Sequence, residues 1–320
     1  MVGKKVIFLF PGQGAQYPGM GLDLVEVSAA AKNIFNTASE ILGKDMIGLI
    51  RDSDADTLKR TDVSQSAMSV ASLAAAACLK ERDITPIACA GFSLGEYPAL
   101  CCAGVISTED CFRLTDERGK AMQAAIDRIK AGGADDGAPG MAAVIGLAPE
   151  QVESLIAEWK GGGLADLYAA NYNSQKQVVV SGSAAALAEA ESRFKEAGAK
   201  RVLRLQVAGP FHSPFMKEAA QAFAPILEKV TFSDPAIPLF SNVTGKQVQS
   251  GAEAKTLALR QIIEGVRWTD EEAAFAGLQP EALLEAGPGK VLQGLWKDTG
   301  SEVPCYAAGT AADINELTKE

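Results

Sequence analysis

Gly91-Phe92-Ser93-Leu94-Gly95 sets one serine between two glycines at G-x-S-x-G spacing, with an apolar run before it and a helix-prone run, Glu96 to Ala103, after it. A serine at such a strand-to-helix bend has its hydroxyl exposed above a sheet. The flanking glycines are needed because neighbouring β-carbons would clash, and the following helix N-terminus offers N–H groups to a developing oxyanion. The plain alternative is a turn of small residues. A serine hydroxyl is a weak nucleophile unless a base takes its proton. The chain has a single histidine, His212, so a serine–histidine mechanism has its base by elimination. Taken alone, that histidine could equally cap the helix expected from Ser213.

Arg118 lies on an otherwise apolar helical stripe with Cys111, Leu114, Met122, Ala125, Ile126 and Ile129. A guanidinium in such a place needs a partner. One choice is structural pairing with Glu96 or Asp116; the other is a bidentate clamp on a substrate carboxylate, which would select a dicarboxylic acyl chain. The turn Phe10 to Gln16 is not a dinucleotide loop, since Tyr17 stands where G-x-G-x-x-G requires its third glycine. The alternative is a loop beside the elbow whose Gln13 backbone provides a second oxyanion donor.

The elements that must position these groups alternate. Strands are expected at Val6 to Phe10 and Ile84 to Ala90, with an Ala-rich helix at Ser64 to Leu79 between them, a βαβ unit that puts both glycine turns at one edge of a parallel sheet. Ser107 caps a long helix, and the Gly- and Ala-rich stretch Ala131 to Gly140 reads as a linker. The segments Met141–Ile145, Pro149–Trp159, Leu167–Ala170, Gln177–Val180, Ala184–Ala197 and Arg201–Val207 then follow the order β-α-β-β-α-β, a ferredoxin-like unit left near Ala208 to Pro210. Helices at about Ser213 to Lys229, Ala252 to Glu264 and Lys290 to Trp296, with strands ending at Phe240, Ala286 and Ala307, complete the larger unit.

Composition sets the outer limits. With 320 residues, 48% of them apolar, the chain has ample material for a packed core, and a net charge of -10 argues against nucleic acid. No apolar run reaches membrane-spanning length, and Val6 to Phe10 is too short for a signal segment. Six cysteines without C-x-x-C spacing read as reduced thiols in a cytoplasmic protein, and no metal site is expected.

Assembled, these residues resemble the malonyl-CoA:acyl carrier protein transacylases of bacterial fatty acid synthesis. The resemblance runs in family order through Phe10 to Gln16, Ser93 to Gly104, Arg118 to Met122, Asn171 to Gly182, Phe211 to Met216, Ser241 to Gly245 and Glu285 to Leu292. It implies a large α/β-hydrolase-like domain with a parallel sheet (1–130 and 208–320) carrying an inserted ferredoxin-like βαββαβ domain (140–207). It implies Ser93 and His212 as nucleophile and base, Gln13 and Leu94 amides as oxyanion hole, Arg118 as holder of the malonyl carboxylate, and the Gln261 carbonyl as the group orienting the histidine. Gln65, Asn171 and Asn173 become pocket candidates, though turn and cap roles suit them too. Phe211 beside His212 would crowd a methyl on the acyl α-carbon. Phe92 departs from the family, which usually has histidine before the nucleophile. The expected partners are malonyl-CoA and acyl carrier protein, with coenzyme A as product, no permanently bound cofactor, and a monomeric protein. A polyketide carrier, or a serine thioesterase or esterase, is the alternative; a module that only binds is another that Phe92 keeps open.

Overall fold

The computed structural model describes residues 5–132 and 137–319. Residues 133–136, inside the expected linker, lie outside them. The chain runs β1 (Val6–Phe10), α1 (Leu22–Val27), α2 (Ala29–Leu42), α3 (Met46–Asp52), α4 (Ala55–Lys59), α5 (Thr61–Lys80), β2 (Pro86–Gly91), α6 (Glu96–Cys102) and α7 (Thr108–Ala131). It continues through β3 (Gly140–Ile145), α8 (Pro149–Gly161), β4 (Leu167–Ser174), β5 (Gln177–Gly182), α9 (Ala184–Glu196) and β6 (Arg201–Arg204). The remainder is α10 (Lys217–Leu227), β7 (Phe240–Ser241), β8 (Lys246–Gln247), α11 (Gly251–Arg260), α12 (Trp268–Phe275), β9 (Ala282–Glu285), α13 (Val291–Asp298), β10 (Cys305–Ala307) and α14 (Ala311–Leu317).

A parallel sheet in the order β10-β9-β1-β2 forms the centre of the larger unit. Strand side chains alternate between faces, and β1 feeds two cores. Val6, Phe8 and Phe10 point into one with α5 and α7, while Ile7 and Leu9 point into another with Trp268, Phe275 and Trp296. Burial on both faces explains why this strand reads as an uninterrupted apolar run. Ser107 does cap α7, its hydroxyl accepting from the Asp110 N–H at 3.0 Å.

The second sheet is antiparallel, in the order β4-β5-β3-β6. One face carries α8 and α9, packed through Val144, Val178, Val180, Ile156 and Phe194. From the other, Met141, Ala143 and Val179 join the core of the larger unit.

Several boundaries differ from the sequence expectation. The strand expected to Val207 ends at Arg204: the ladder with β3 runs over Arg201–Arg204, and just beyond it the Leu205 N–H donates to the Met141 carbonyl at 2.9 Å. The helix expected from Ser213 opens as a tight turn, Pro214–Met216, before α10 begins at Lys217. Helices α1 to α4 and α12 went unread, although Ser28 caps α2 and Gly43 ends it at a left-handed φ of 62°.

Candidate active site

The elbow is built as the glycines demand. Ser93 itself has a φ of 52°, in the left-handed region that costs a non-glycine residue energy. A β-carbon on Gly91 would sit 2.0 Å from the Gly95 carbonyl oxygen, and one on Gly95 would sit 2.0 Å from the Phe10 carbonyl oxygen. The second of these contacts lays the Phe10–Gln13 loop on the bend, and the Phe92 N–H donates to the Phe10 carbonyl at 2.9 Å. Gln13 therefore lies beside the elbow, with its side-chain amide turned away toward the Lys59 carbonyl. Leu94 is buried within the short turn Ser93–Gly95 that leads into α6.

His212 reaches this bend from 119 residues away, its Nε2 at 2.7 Å from Ser93 Oγ. It too has a positive φ, 53°. The turn that presents it is closed by Ser213 Oγ donating to the Pro210 carbonyl at 2.6 Å and by Ser181 Oγ of β5 donating to the Phe211 carbonyl at 2.6 Å. Nδ1 faces two carbonyl oxygens just beyond the end of α11, Gln261 at 2.8 Å and Glu264 at 3.1 Å. Carbonyls only accept, so the proton of a neutral ring sits on Nδ1 and leaves the Nε2 lone pair to Ser93. Burial pushes the imidazole down to about 4, with the Arg118 charge adding to the effect and the two carbonyl hydrogen bonds opposing it. The ring is thus neutral near pH 7, as a base must be.

Arg118 is fully buried on α7. Its Nη1 donates to Gln65 Oε1 at 2.7 Å and its Nη2 to Gln261 Oε1 at 2.8 Å, while its Nε is buried without a partner. The Tyr97 ring lies 5.4 Å from the guanidinium carbon. No carboxylate pairs with it among the described residues. Asp116 is taken by Lys44 and Lys120, and Glu96 hydrogen-bonds elsewhere. Burial lowers the guanidinium's pKa. A buried cation held by neutral amides is electrostatically incomplete, and an anion supplied from outside would complete it.

Two residues tie these groups together, and neither role was read from the sequence. The Gln261 side chain takes Arg118 on its oxygen, and its nitrogen approaches the Ser93 carbonyl at 2.8 Å, Glu96 Oε2 at 3.0 Å and Asn242 Oδ1 at 3.1 Å. Asn242 brackets the bend: its Oδ1 accepts from the Ser93 N–H at 2.7 Å, and its Nδ2 donates to the Gly91 carbonyl and to Glu271 Oε1, both at 2.7 Å. Its own N–H donates to Glu96 Oε2 at 2.9 Å. Burial raises the Glu96 carboxyl to about 7, against the pull of its hydrogen bonds and of Arg118. Burial and Glu96 together push Glu271 well above the usual carboxylate range. Only the match at Ser241 to Gly245 signalled Asn242.

The remaining pocket candidates divide. Gln65 belongs to the Arg118 cluster, and Phe211 is nearly buried beside His212. Phe92 turns to Trp268, edge to face with ring centres 5.5 Å apart. Neither Asn171 nor Asn173 bonds to the web around Ser93 among the described residues; Asn171 lies on β4 where it bridges to Val266, and Asn173 Oδ1 is buried without a partner. A cavity of about 390 Å³ opens against His212, walled also by Tyr168, Tyr172 and Ile263.

The acyl transferase domain family matches residues 7–317. The malonyl CoA-acyl carrier protein transacylase of Haemophilus influenzae is 37% identical over 316 residues, covering 98% of both chains. The chain belongs to this family. Among solved structures, an acyl carrier protein S-malonyltransferase from Vibrio cholerae superposes with a TM-score of 0.90 at 36% identity, covering 98% of this chain and all of the other. A type II polyketide acyl carrier protein in complex with its malonyl-transacylase gives 0.88 at 35% identity, with 98% of each chain covered. No helix among the described residues is long and apolar enough to cross a membrane.

Proposed function

We propose that this transacylase-family chain moves a malonyl group from malonyl-CoA to the pantetheine thiol of an acyl carrier protein through an ester on Ser93. The observation that carries the reading is the 2.7 Å contact between Ser93 Oγ and a histidine nitrogen that must be the acceptor, one side chain away from a buried arginine lacking a carboxylate. In the first half, Ser93 Oγ attacks the thioester carbonyl while its proton passes to His212 Nε2. The carbon–sulfur bond then breaks, and the coenzyme A thiolate leaves with that proton. In the second half the pantetheine thiol gives its proton to His212, attacks the ester and restores the hydroxyl. The amides of Gln13 and Leu94 stabilise the oxyanion in both halves. Arg118 holds the malonyl carboxylate, and the Gln261 carbonyl keeps the imidazole in its working tautomer.

The strand order β4-β5-β3-β6 with both helices on one face supports reading residues 140–207 as a ferredoxin-like insert, and 1–130 with 208–320 as an α/β-hydrolase-like domain. We read the chain as a cytoplasmic monomer that keeps no bound cofactor, with malonyl-CoA as substrate and coenzyme A as product. The likeness to the polyketide complex favours a polyketide carrier as a second acceptor class. Incubation with radiolabelled malonyl-CoA, followed by peptide mapping, should place one acyl group on the Ser93 peptide and none on Ser93→Ala. Label on another residue would refute the mechanism.

A further inference from the structure

Away from Ser93, a cavity of about 360 Å³ opens between α12, the end of α13 and the β4–β5 turn. That volume lies in the range of small-molecule sites. Its walls combine the Trp296 ring and the methyls of Ala273 and Ala276 with the hydroxyls of Thr269, Thr299 and Ser301. Trp296 is held in place by its indole N–H donating to the Val303 carbonyl at 2.7 Å.

Among the described residues, the one ionisable group in that wall is Glu272, of which only 4% is exposed. Its Oε1 accepts from the Trp268 indole N–H at 2.9 Å, and its Oε2 has no hydrogen-bond partner among the described residues. The field around it is anionic. Asp298 at the end of α13 acts on it, Glu285 of β9 and Glu272 act together on the Cys305 thiol, and Glu271 precedes it on α12. Among the described residues no lysine or arginine lines the cavity. A half-satisfied carboxyl among other acids, at the floor of a partly aromatic recess, is complemented by a compact cation with an apolar body.

We propose that this cavity is a second ligand site, which takes a small primary organic ammonium with its charged head on Glu272 Oε2 and its alkyl body against Trp296. The site is independent of the acyl chemistry. It does touch the neighbourhood of Ser93, because Trp268, which Glu272 holds, packs edge to face against Phe92. Burial, with Asp298 adding to it and the Trp268 hydrogen bond opposing it, raises the Glu272 carboxyl to about 8, so that group is mostly neutral at pH 7. An ammonium would bind the ionised form.

The test is calorimetric titration of the full chain with n-butylammonium chloride, against n-butanol and potassium chloride at constant ionic strength. Affinity for butylammonium should rise on the order of fifty-fold from pH 6 to pH 8.5, as the ionised fraction of a group titrating near 8 grows. Tryptophan fluorescence should change in step. Glu272→Gln keeps an acceptor for Trp268 and should abolish both binding and pH dependence. Ala273→Leu, at an exposed edge of the cavity, should block binding while the carboxyl stays. Equal binding of butanol, equal competition by potassium, an unchanged Glu272→Gln titration, or no binding at pH 8.5 would each overturn the proposal. Because the readout is binding, failure here would leave the labelling of Ser93 unaffected.

Discussion

Ser93 and His212 face each other from backbones of nearly the same unusual conformation, φ of 52° and 53°, yet the two halves of the pair are held by different means. The serine bend is pinned by side chains: Asn242 grips the residues on either side of Phe92, Gln261 bonds the Ser93 carbonyl, and Glu96 braces both amides. The histidine ring is pinned by main chain, through the Gln261 and Glu264 carbonyls, with the turn that carries it fastened by the Ser181 and Ser213 hydroxyls. Main-chain acceptors cannot be substituted away. A base oriented by carbonyls also needs no buried carboxylate partner, and burial then keeps the imidazole neutral instead of charged. The Ser93 side depends on individual buried amides, so it should be the more fragile half under mutation.

The largest expected effect lies between the halves. Arg118→Ala should cut malonyl transfer on the order of 10²- to 10³-fold, since removing one member of a desolvated charged contact costs about 2–5 kcal/mol. Acetyl-CoA use, measured alongside, should fall far less; equal losses would remove the clamp and leave Arg118 a purely structural cation.

Asn242→Ala tests the fragile half. It orphans the Ser93 N–H and the Gly91 carbonyl, at about 1–3 kcal/mol each, so kcat should drop about ten- to a hundredfold and the melting temperature should fall. Gln261→Leu sharpens the contrast, because the carbonyl facing His212 survives the change. Its malonyl preference should weaken while the acid limb of the pH profile stays put; a displaced acid limb would show that the side chain, too, positions the base.

The pH profile probes the main-chain half directly. Protonation removes the base, and a pKa lowered to about 4 delays that loss to more acid pH. At pH 5 about nine-tenths of His212 stays neutral, against about 3% for an ordinary imidazole, a thirtyfold difference in acylation kcat/KM. An acid limb near 6.5 would mean that burial and the Arg118 charge do not outweigh the two carbonyl hydrogen bonds as described. On the serine side the sign is opposite. A Glu96 carboxyl raised to about 7 stabilises the fold fully below about pH 4.5 and loses that contribution as pH rises through 7, so Glu96→Gln should flatten the fall in melting temperature over this window.

The smallest effect belongs to Ser181→Ala, which cuts the hydroxyl bond from β5 to the histidine loop. A loss of about 1 kcal/mol, or up to roughly fivefold in kcat, is expected, with malonyl preference unchanged. A larger loss would make the second sheet as necessary to the base as Asn242 is to the nucleophile.

Much of the site was legible in one dimension because its signals are local or unique. Gly91 and Gly95 announce a bend that only glycine can make, His212 is the only imidazole, and Arg118 breaks an apolar stripe. The period of apolar residues located the central strand, α5, α7 and the alternation of the second unit. Helices α1 to α4 were missed for lack of a strand rhythm around them, and the ends of β6 and α10 because strand and turn boundaries follow from partners.

What the amino-acid sequence determined by itself was the chemistry on offer: a strained serine, a lone base, a stranded cation and the order of elements that could carry them. Only the tertiary structure decided that Asn242, 149 residues from Ser93, holds both sides of the elbow, and that Gln261, whose carbonyl was already expected at His212, also serves Arg118 with its side-chain amide. It also placed Phe92 against Trp268. A residue's type is a property of the chain, but a hydrogen bond between distant side chains exists only after the packing of both cores has set their separation to within a few tenths of an ångström.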